Sequence, residues 1–147
     1  MELKIITYPN PILLKKSSIL KKEDILRYNE FADNMIETML KNNGIGFAAP
    51  QAGENICLIV INKEATDNKE HLKLFNPKIT YASKSTSVLE EGCLSLPEYY
   101  REMERPDKIR IKACNEKGEK IQLKAKGLFS HVLQHEIDHL TGKLINI

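Results

Sequence analysis

Near the C-terminus, His135-Glu136-Ile137-Asp138-His139 places two imidazoles one helical turn apart with a carboxylate beside the first. On a helix, positions i and i+4 stack on one face, so both rings can reach a single metal ion. Glu136 then sits close enough to poise a water on that ion without ligating it. Such an arrangement hydrolyses amides with metal assistance. The bland alternative is a charged helix that happens to carry two histidines.

A catalytic site of this kind needs three protein ligands and one open position. Only Leu140 to Ile147 follow His139, and none of them binds metal, so the third ligand lies upstream. The extended motif of another metallopeptidase class fails too, because Ile145 stands where its third histidine belongs. Cys57 lies in an apolar run and reads as packing. Cys114 reads as an incidental surface thiol beside a hairpin turn, and His71 as a solvated side chain in a charged stretch. Cys93 lies in Glu91-Gly92-Cys93-Leu94-Ser95, followed by Leu96-Pro97, an irregular turn that could present a thiolate and a backbone N–H to one point. Taken alone, it reads better as a reduced loop cysteine. A third segment, Gly44-Ile45-Gly46-Phe47-Ala48-Ala49-Pro50-Gln51, lacks the pattern of a phosphate loop. Its glycines permit close approach of an extended peptide, and Gln51 offers a neutral amide donor. Alone, it reads as a helix cap leading into a tight strand.

The elements that must position these residues follow from periodicity. Asp24 to about Asn42 reads as one helix with an apolar stripe of Phe31, Ala32, Met35, Ile36, Met39 and Leu40, stopped at Gly44. Ile56 to Ile61 reads as a buried strand. Leu72–Phe75, Lys78–Ser83 and Ser87–Glu91 are candidate strands, with Asn76-Pro77 as a turn. Lys108–Cys114 and Lys120–Lys124 alternate apolar and charged residues around Asn115-Glu116-Lys117-Gly118, a hairpin with one wet face. A helix from about Leu128 to Leu140 carries the histidines, and Leu144–Ile147 is a candidate last strand. Clustered strands flanked by helices predict an α+β fold of antiparallel sheets rather than a parallel βαβ sheet.

Bulk properties bound the rest. The 147 residues make one domain with a real core, 41% hydrophobic and 29% charged. A formal net charge of +2 gives no sign of a nucleic-acid patch. The apolar run from Ile56 is too short for a membrane span, and the N-terminus lacks the features of a signal peptide. Three cysteines in such a chain point to a reducing, cytoplasmic setting.

Taken together and in this order, the three segments resemble the signature motifs of the peptide deformylase family, and the resemblance runs from Tyr8-Pro9 to Gly142-Lys143-Leu144. It implies a metal-dependent hydrolase of linear amides, removing the N-formyl group from the N-terminal methionine of nascent polypeptides and releasing formate. Residue by residue it implies Cys93, His135 and His139 as ligands of one divalent ion, usually Fe(II), with Zn, Ni or Co also accepted. Glu136 would be the general base, and the Leu94 N–H and Gln51 side chain would stabilise the oxyanion. Peptide contacts would come from Ile45, Gly46 and Gly92, and a methionine pocket from Ile45, Leu128 and His131, the last as lining or rim. Glu91 would orient a ligand histidine and Asp138 would pair with Arg105. The implied fold sets antiparallel sheets around a central motif-bearing helix, with an N-terminal helix. Many bacterial relatives continue into a long C-terminal helix, and the expectation here, where the sequence stops at Ile147, is a fold without one. Implied partners are formylmethionyl peptides, nascent chains and the ribosome, with no direct nucleic-acid contact, no membrane and a monomeric state. Tyr100 stands where many relatives carry Arg. The rival readings are a peptidase of internal bonds and a catalytically silent binding module.

Overall fold

The computed structural model describes residues 1–147. After an extended lead-in with a 3-10 turn at Pro11–Leu14 come α1 (Lys22–Arg27) and α2 (Asn29–Lys41). Strands β1 (Gly46–Ala48), β2 (Leu58–Ile61), β3 (Leu72–Ala82), β4 (Thr86–Cys93), β5 (Leu96–Pro106), β6 (Lys108–Cys114) and β7 (Lys120–Lys126) follow, and α3 (Gly127–His139) closes the set. The strands form a five-stranded sheet in the order β1-β2-β3-β6-β7 and a separate β4-β5 hairpin. Every strand pairing is antiparallel. The α+β expectation therefore holds. The motif-bearing helix is also the C-terminal one.

Alternation along the strands divides the core in two. Ile59, Ile61, Leu74, Ile109 and Ile111 point to one face of the sheet and pack with Phe129, Val132 and Leu133 of α3. Leu58, Val60 and Phe75 point to the other and pack with Ala32, Met35 and Met39 of α2. Burying each of the larger side chains stabilises the fold by about 1.5–3 kcal/mol, which holds α3 against the sheet despite its many polar residues.

Several local expectations are corrected. The single helix from Asp24 to Asn42 is two helices, because Tyr28 leaves helical geometry at φ −95°, ψ 7°. The Asn29 amide at the break donates to the Glu116 carbonyl (2.7 Å), tying it to the β6–β7 turn. Leu40 is exposed, and the buried position on its turn is Thr38, whose hydroxyl accepts from the Leu3 N–H. Cys57 precedes its strand rather than lying inside it and is half-buried, as is Cys114, which packs at the edge of the second core. The expected break at Asn76-Pro77 is an irregularity within the continuous β3: Asn76 takes a positive φ of 52° there while its side chain bonds both backbone groups of Leu20. Leu144 to Ile147 form a turn with Leu144 and Ile145 buried, not a strand. The β5 strand had no clear signature, since Glu98-Tyr99-Tyr100-Arg101-Glu102 is exposed on both sides and lacks apolar alternation.

Candidate metal and catalytic site

Helix α3 buries an unusual set of polar groups: Ser130, His131, Gln134, His135, Glu136 and His139. Gln134 and Ser130 both donate to the Pro106 carbonyl (2.9 and 3.1 Å), fastening the helix to the end of β5. Helical spacing then brings the His135 and His139 rings together, with Nε2 atoms 3.2 Å apart.

Cys93 enters from the other side. Its strand β4 turns back into β5 through Leu94-Ser95, and the register slips between Gly92 and Cys93. That irregularity aims Sγ at α3, 3.4 Å from His139 Nε2. All three candidate donor atoms lie within 4.8 Å of one another. A tetrahedral ion with bonds of about 2.0–2.1 Å to nitrogen and 2.3 Å to sulfur needs donor separations of roughly 3.3–3.6 Å. The Sγ–Nε2 distance of 3.4 Å falls in that range and the Nε2–Nε2 distance of 3.2 Å lies just under it. One thiolate, two imidazoles and a cleft on the fourth side suit a catalytic rather than a structural site.

His135 is held in place by Glu91. The Glu91 carboxylate accepts from His135 Nδ1 (3.0 Å) and His131 Nδ1 (3.2 Å), and from Arg105 Nε and Nη2 (2.7 and 3.0 Å). Arg105 Nη1 in turn donates to Asp138 (2.9 Å). The expected Glu91–histidine and Arg105–Asp138 contacts are thus present, and they join into one buried network. Glu91 accepts at Nδ1 and holds a proton there, so Nε2 is the nitrogen left to face a metal once its own proton is displaced.

Gln51 lies on the 3-10 turn Ala49–Ala52 behind β1. Its Oε1 accepts from the Ala48 N–H (2.9 Å), and its Nε2 donates to Ser95 Oγ (3.0 Å). Ser95 spends its own proton on the Ile6 carbonyl (2.6 Å), so its oxygen can only accept from the amide. This chain of donors fixes the amide orientation and leaves Nε2 3.5 Å from Cys93 Sγ, facing the metal position. Ser95 had no expected role, although it closes the motif that contains Cys93.

The wider comparisons agree with this geometry. The polypeptide deformylase family profile matches residues 2–146. Peptide deformylase 1 of Ralstonia nicotianae is 41% identical over 143 residues, covering 97% of this chain and 83% of that one. The chloroplastic peptide deformylase 1B of Oryza sativa subsp. japonica is 42% identical, and the match covers 97% of this chain and 53% of that longer protein. The crystal structure of peptide deformylase from Thermotoga maritima superposes with a TM-score of 0.91 at 35% identity, covering 99% and 96% of the two chains. The chain belongs to the polypeptide deformylase family.

Within that family frame, the expected substrate-contacting residues Ile45, Gly46, Gly92, Leu128 and His131 all line one cleft of about 670 Å³, together with Gln51, Cys93, Leu94, His135 and Glu136. Ile45 and Leu128 are partly exposed at its mouth. His131 is a buried wall residue rather than rim, its Nε2 2.9 Å from Ser87 Oγ. Two glycines are required by contact. A Cβ on Gly46 would fall 2.6 Å from Glu136 Oε2, and one on Gly92 would fall 2.7 Å from the Tyr100 ring. Gly46 thus lets the Glu136 carboxylate lie against β1.

Glu136 is buried with Oε1 unpartnered, and Oε2 is 4.0 Å from His135 Nε2. Burial raises its carboxyl pKa to about 7 against the opposing pull of His135. A base titrating near neutrality suits proton transfer at physiological pH. Burial would also lower the His135 pKa, but Glu136, Cys93 and Glu91 outweigh it and raise it to about 10. Burial and the positive charge of His135 push His139 well below its ordinary value. Metal binding therefore displaces a proton from between the two rings. Burial would raise Glu91, yet hydrogen bonds from His135 and Arg105 prevail and lower it to about 2.

Proposed function

We propose that Glu136, Gln51 and the Leu94 N–H carry out the family reaction around an ion held by Cys93, His135 and His139: hydrolysis of the N-formyl group from the terminal methionine of nascent polypeptides. The observation that carries this reading is the convergence of one sulfur and two ring nitrogens beside an unpartnered buried carboxylate. When bound, the ion supplies Lewis acidity, lowering the pKa of a water and polarising the formyl oxygen. Glu136 takes a proton from the attacking water as its oxygen bonds to the formyl carbon. Gln51 Nε2 and the Leu94 N–H, which donates to no carbonyl among the turn and loop hydrogen bonds, stabilise the charge that builds on the formyl oxygen. As the C–N bond breaks, Glu136 passes its proton to the departing amine, and formate and a free methionine amino group result.

Ile45, Leu128 and His131 receive the methionine side chain, while Ile45, Gly46 and Gly92 contact the peptide backbone. Fe(II) is the physiological ion of this reading. Zn, Ni and Co suit the same mixed sulfur and nitrogen set, so element analysis after anaerobic purification decides among them. The protein acts as a monomer on nascent chains at the ribosome, in a bacterial-type cytoplasm or an organelle. Bacterial and chloroplastic relatives support that setting, and no helix is long and apolar enough to cross a membrane.

The test is formate release from formyl-Met-Ala-Ser by anaerobically purified protein, set against unformylated peptides of the same sequence. Glu136→Ala is expected to retain metal and lose roughly 10²–10⁴-fold in kcat, the usual worth of a positioned base. Near-parental turnover by that variant would overturn the base assignment, and cleavage of unformylated peptides would favour a peptidase.

A further inference from the structure

The near-balance of charge over the whole chain conceals a sharp segregation. Strands β3, β6 and β7 contain no aspartate or glutamate, whereas α1 and α2 carry both and the β4–β5 hairpin carries Glu90, Glu91, Glu98, Glu102 and Glu104. On the face of the sheet turned away from α3, Lys78, Lys108, Arg110, Lys112, Lys124 and Lys126 are all exposed. None of these six takes part in a salt bridge.

Register makes the arrangement more pointed. Lys108 lies directly opposite Lys126, Arg110 opposite Lys124, and Lys78 opposite Lys112. Facing side chains on neighbouring strands have Cβ atoms about 4.5–5.5 Å apart, and like charges there destabilise a sheet. A face adapted only to water would alternate signs across the strands. Here three like-charge pairs stand in rows, with successive cations about 7 Å apart along β6 and β7. A polyanion laid across the rows would relieve this repulsion and release its own counterions.

We propose that the outer face of β3, β6 and β7 is a docking surface for RNA, gripped through its phosphate backbone. An anionic membrane fits less well. The one large apolar side chain exposed on these strands is Tyr81, and Arg110 lies over its ring at 5.3 Å, so nothing is free to insert into lipid. The choice of RNA among nucleic acids rests on the nascent-chain reading, since such substrates emerge beside RNA. Docking through this face leaves the catalytic cleft, on the α3 side, open to solvent.

The experiment measures binding of the full, metal-loaded chain to a fluorescent 24-base-pair RNA duplex at 50–200 mM salt, alongside formate release from formyl-Met-Ala-Ser. With five or six phosphate contacts, affinity is expected to fall roughly 10³-fold across that salt range. The triple variant Arg110→Ala, Lys124→Ala, Lys126→Ala should weaken binding at least tenfold and reduce the logarithmic salt slope by about 2–3. Lys124→Glu should weaken RNA binding while raising the thermal midpoint, because it places opposite charges across the strands. Both variants should hydrolyse the formyl-peptide at the parental rate, which shows that the fold and the hydrolytic site are intact independently of docking. Absence of RNA binding at 50 mM salt would overturn the proposal. So would unchanged affinity and slope in the triple variant, or tighter binding to phosphatidylglycerol vesicles than to RNA.

Discussion

Replacing Glu91 by glutamine changes one oxygen to an amide nitrogen in the middle of the network that holds His135. The parent carboxylate accepts four hydrogen bonds, two of them from Arg105. The amide keeps one acceptor oxygen and turns its NH₂ toward donors, so two donors lose their partner. Arg105, itself buried, keeps only Asp138 as an anionic partner. Breaking a buried ion pair by removing one charge costs about 3–5 kcal/mol. The lowered Glu91 pKa leads to a similar figure: a fall from 4.5 to about 2 corresponds to about 3 kcal/mol of preference for the charged form in the folded state. For a domain of this size, that lowers the thermal midpoint by about 10 °C. His135 also loses its orienting acceptor, so metal affinity should fall roughly 10–100-fold. Thermal unfolding by circular dichroism and competition against a chromophoric chelator read the two effects separately.

The pH dependence of the same variant follows from the direction of the shift. A carboxyl whose pKa is lowered by folding stabilises the native state fully above its ordinary value of 4.5, and that contribution disappears as pH falls toward about 2. The stability gap between parent and Glu91→Gln should therefore be widest near neutrality and close across that acidic window. A midpoint shift under about 2 °C at pH 7, with unchanged metal affinity, would refute the role given to this carboxylate.

The remaining predictions concern the catalytic groups and their supports. Gly46→Ala should leave metal content intact, because the new methyl meets Glu136 and not a ligand, yet reduce kcat at least tenfold by displacing the base; parental kcat would show that β1 does not confine it. Ser95→Ala removes the acceptor that orients Gln51 Nε2, so kcat should fall roughly 10-fold with KM little changed, as expected of a donor acting in the transition state. Equal losses of ground-state binding would count against that. His131→Leu changes the wall of the cleft without reaching the reacting atoms, so KM for formyl-methionine substrates should move at least twofold while kcat stays within twofold. A selective fall in kcat would place His131 in the chemistry.

How far the fold could be read varied with the strength of local patterning. Helix α3 and the β6–β7 hairpin were legible because their apolar residues repeat at the helical and strand periods. The split between α1 and α2 was not, since Ile25, Tyr28 and Ala32 keep helical spacing across it, and the tie made there, from Asn29 to Glu116, joins segments distant in sequence. Strand β5 escaped notice because the hairpin exposes both of its faces over much of its length, which removes the alternation that marks a half-buried strand. In the site, the pair of histidines was legible from spacing alone. Cys93 was legible as a ligand only through the resemblance of the combined motifs, because a lone cysteine in a turn has no periodic signature.

By itself, the order of residues determined which groups are available: two imidazoles on one helical face, a carboxylate between them, a thiol in an irregular turn and a neutral amide after paired glycines. These are local properties, set by helical geometry and side-chain chemistry. Only the tertiary structure decided that β4 turns back so that Cys93 reaches His139, that Ser95 and Ile6 orient Gln51, and that Glu91 serves two histidines and Arg105 at once. It alone also gathered the cations of three strands onto one face, because strand register is a pairing between segments far apart in the chain. Local propensity does not encode such pairings; they follow from burying two apolar faces of one sheet against different helices.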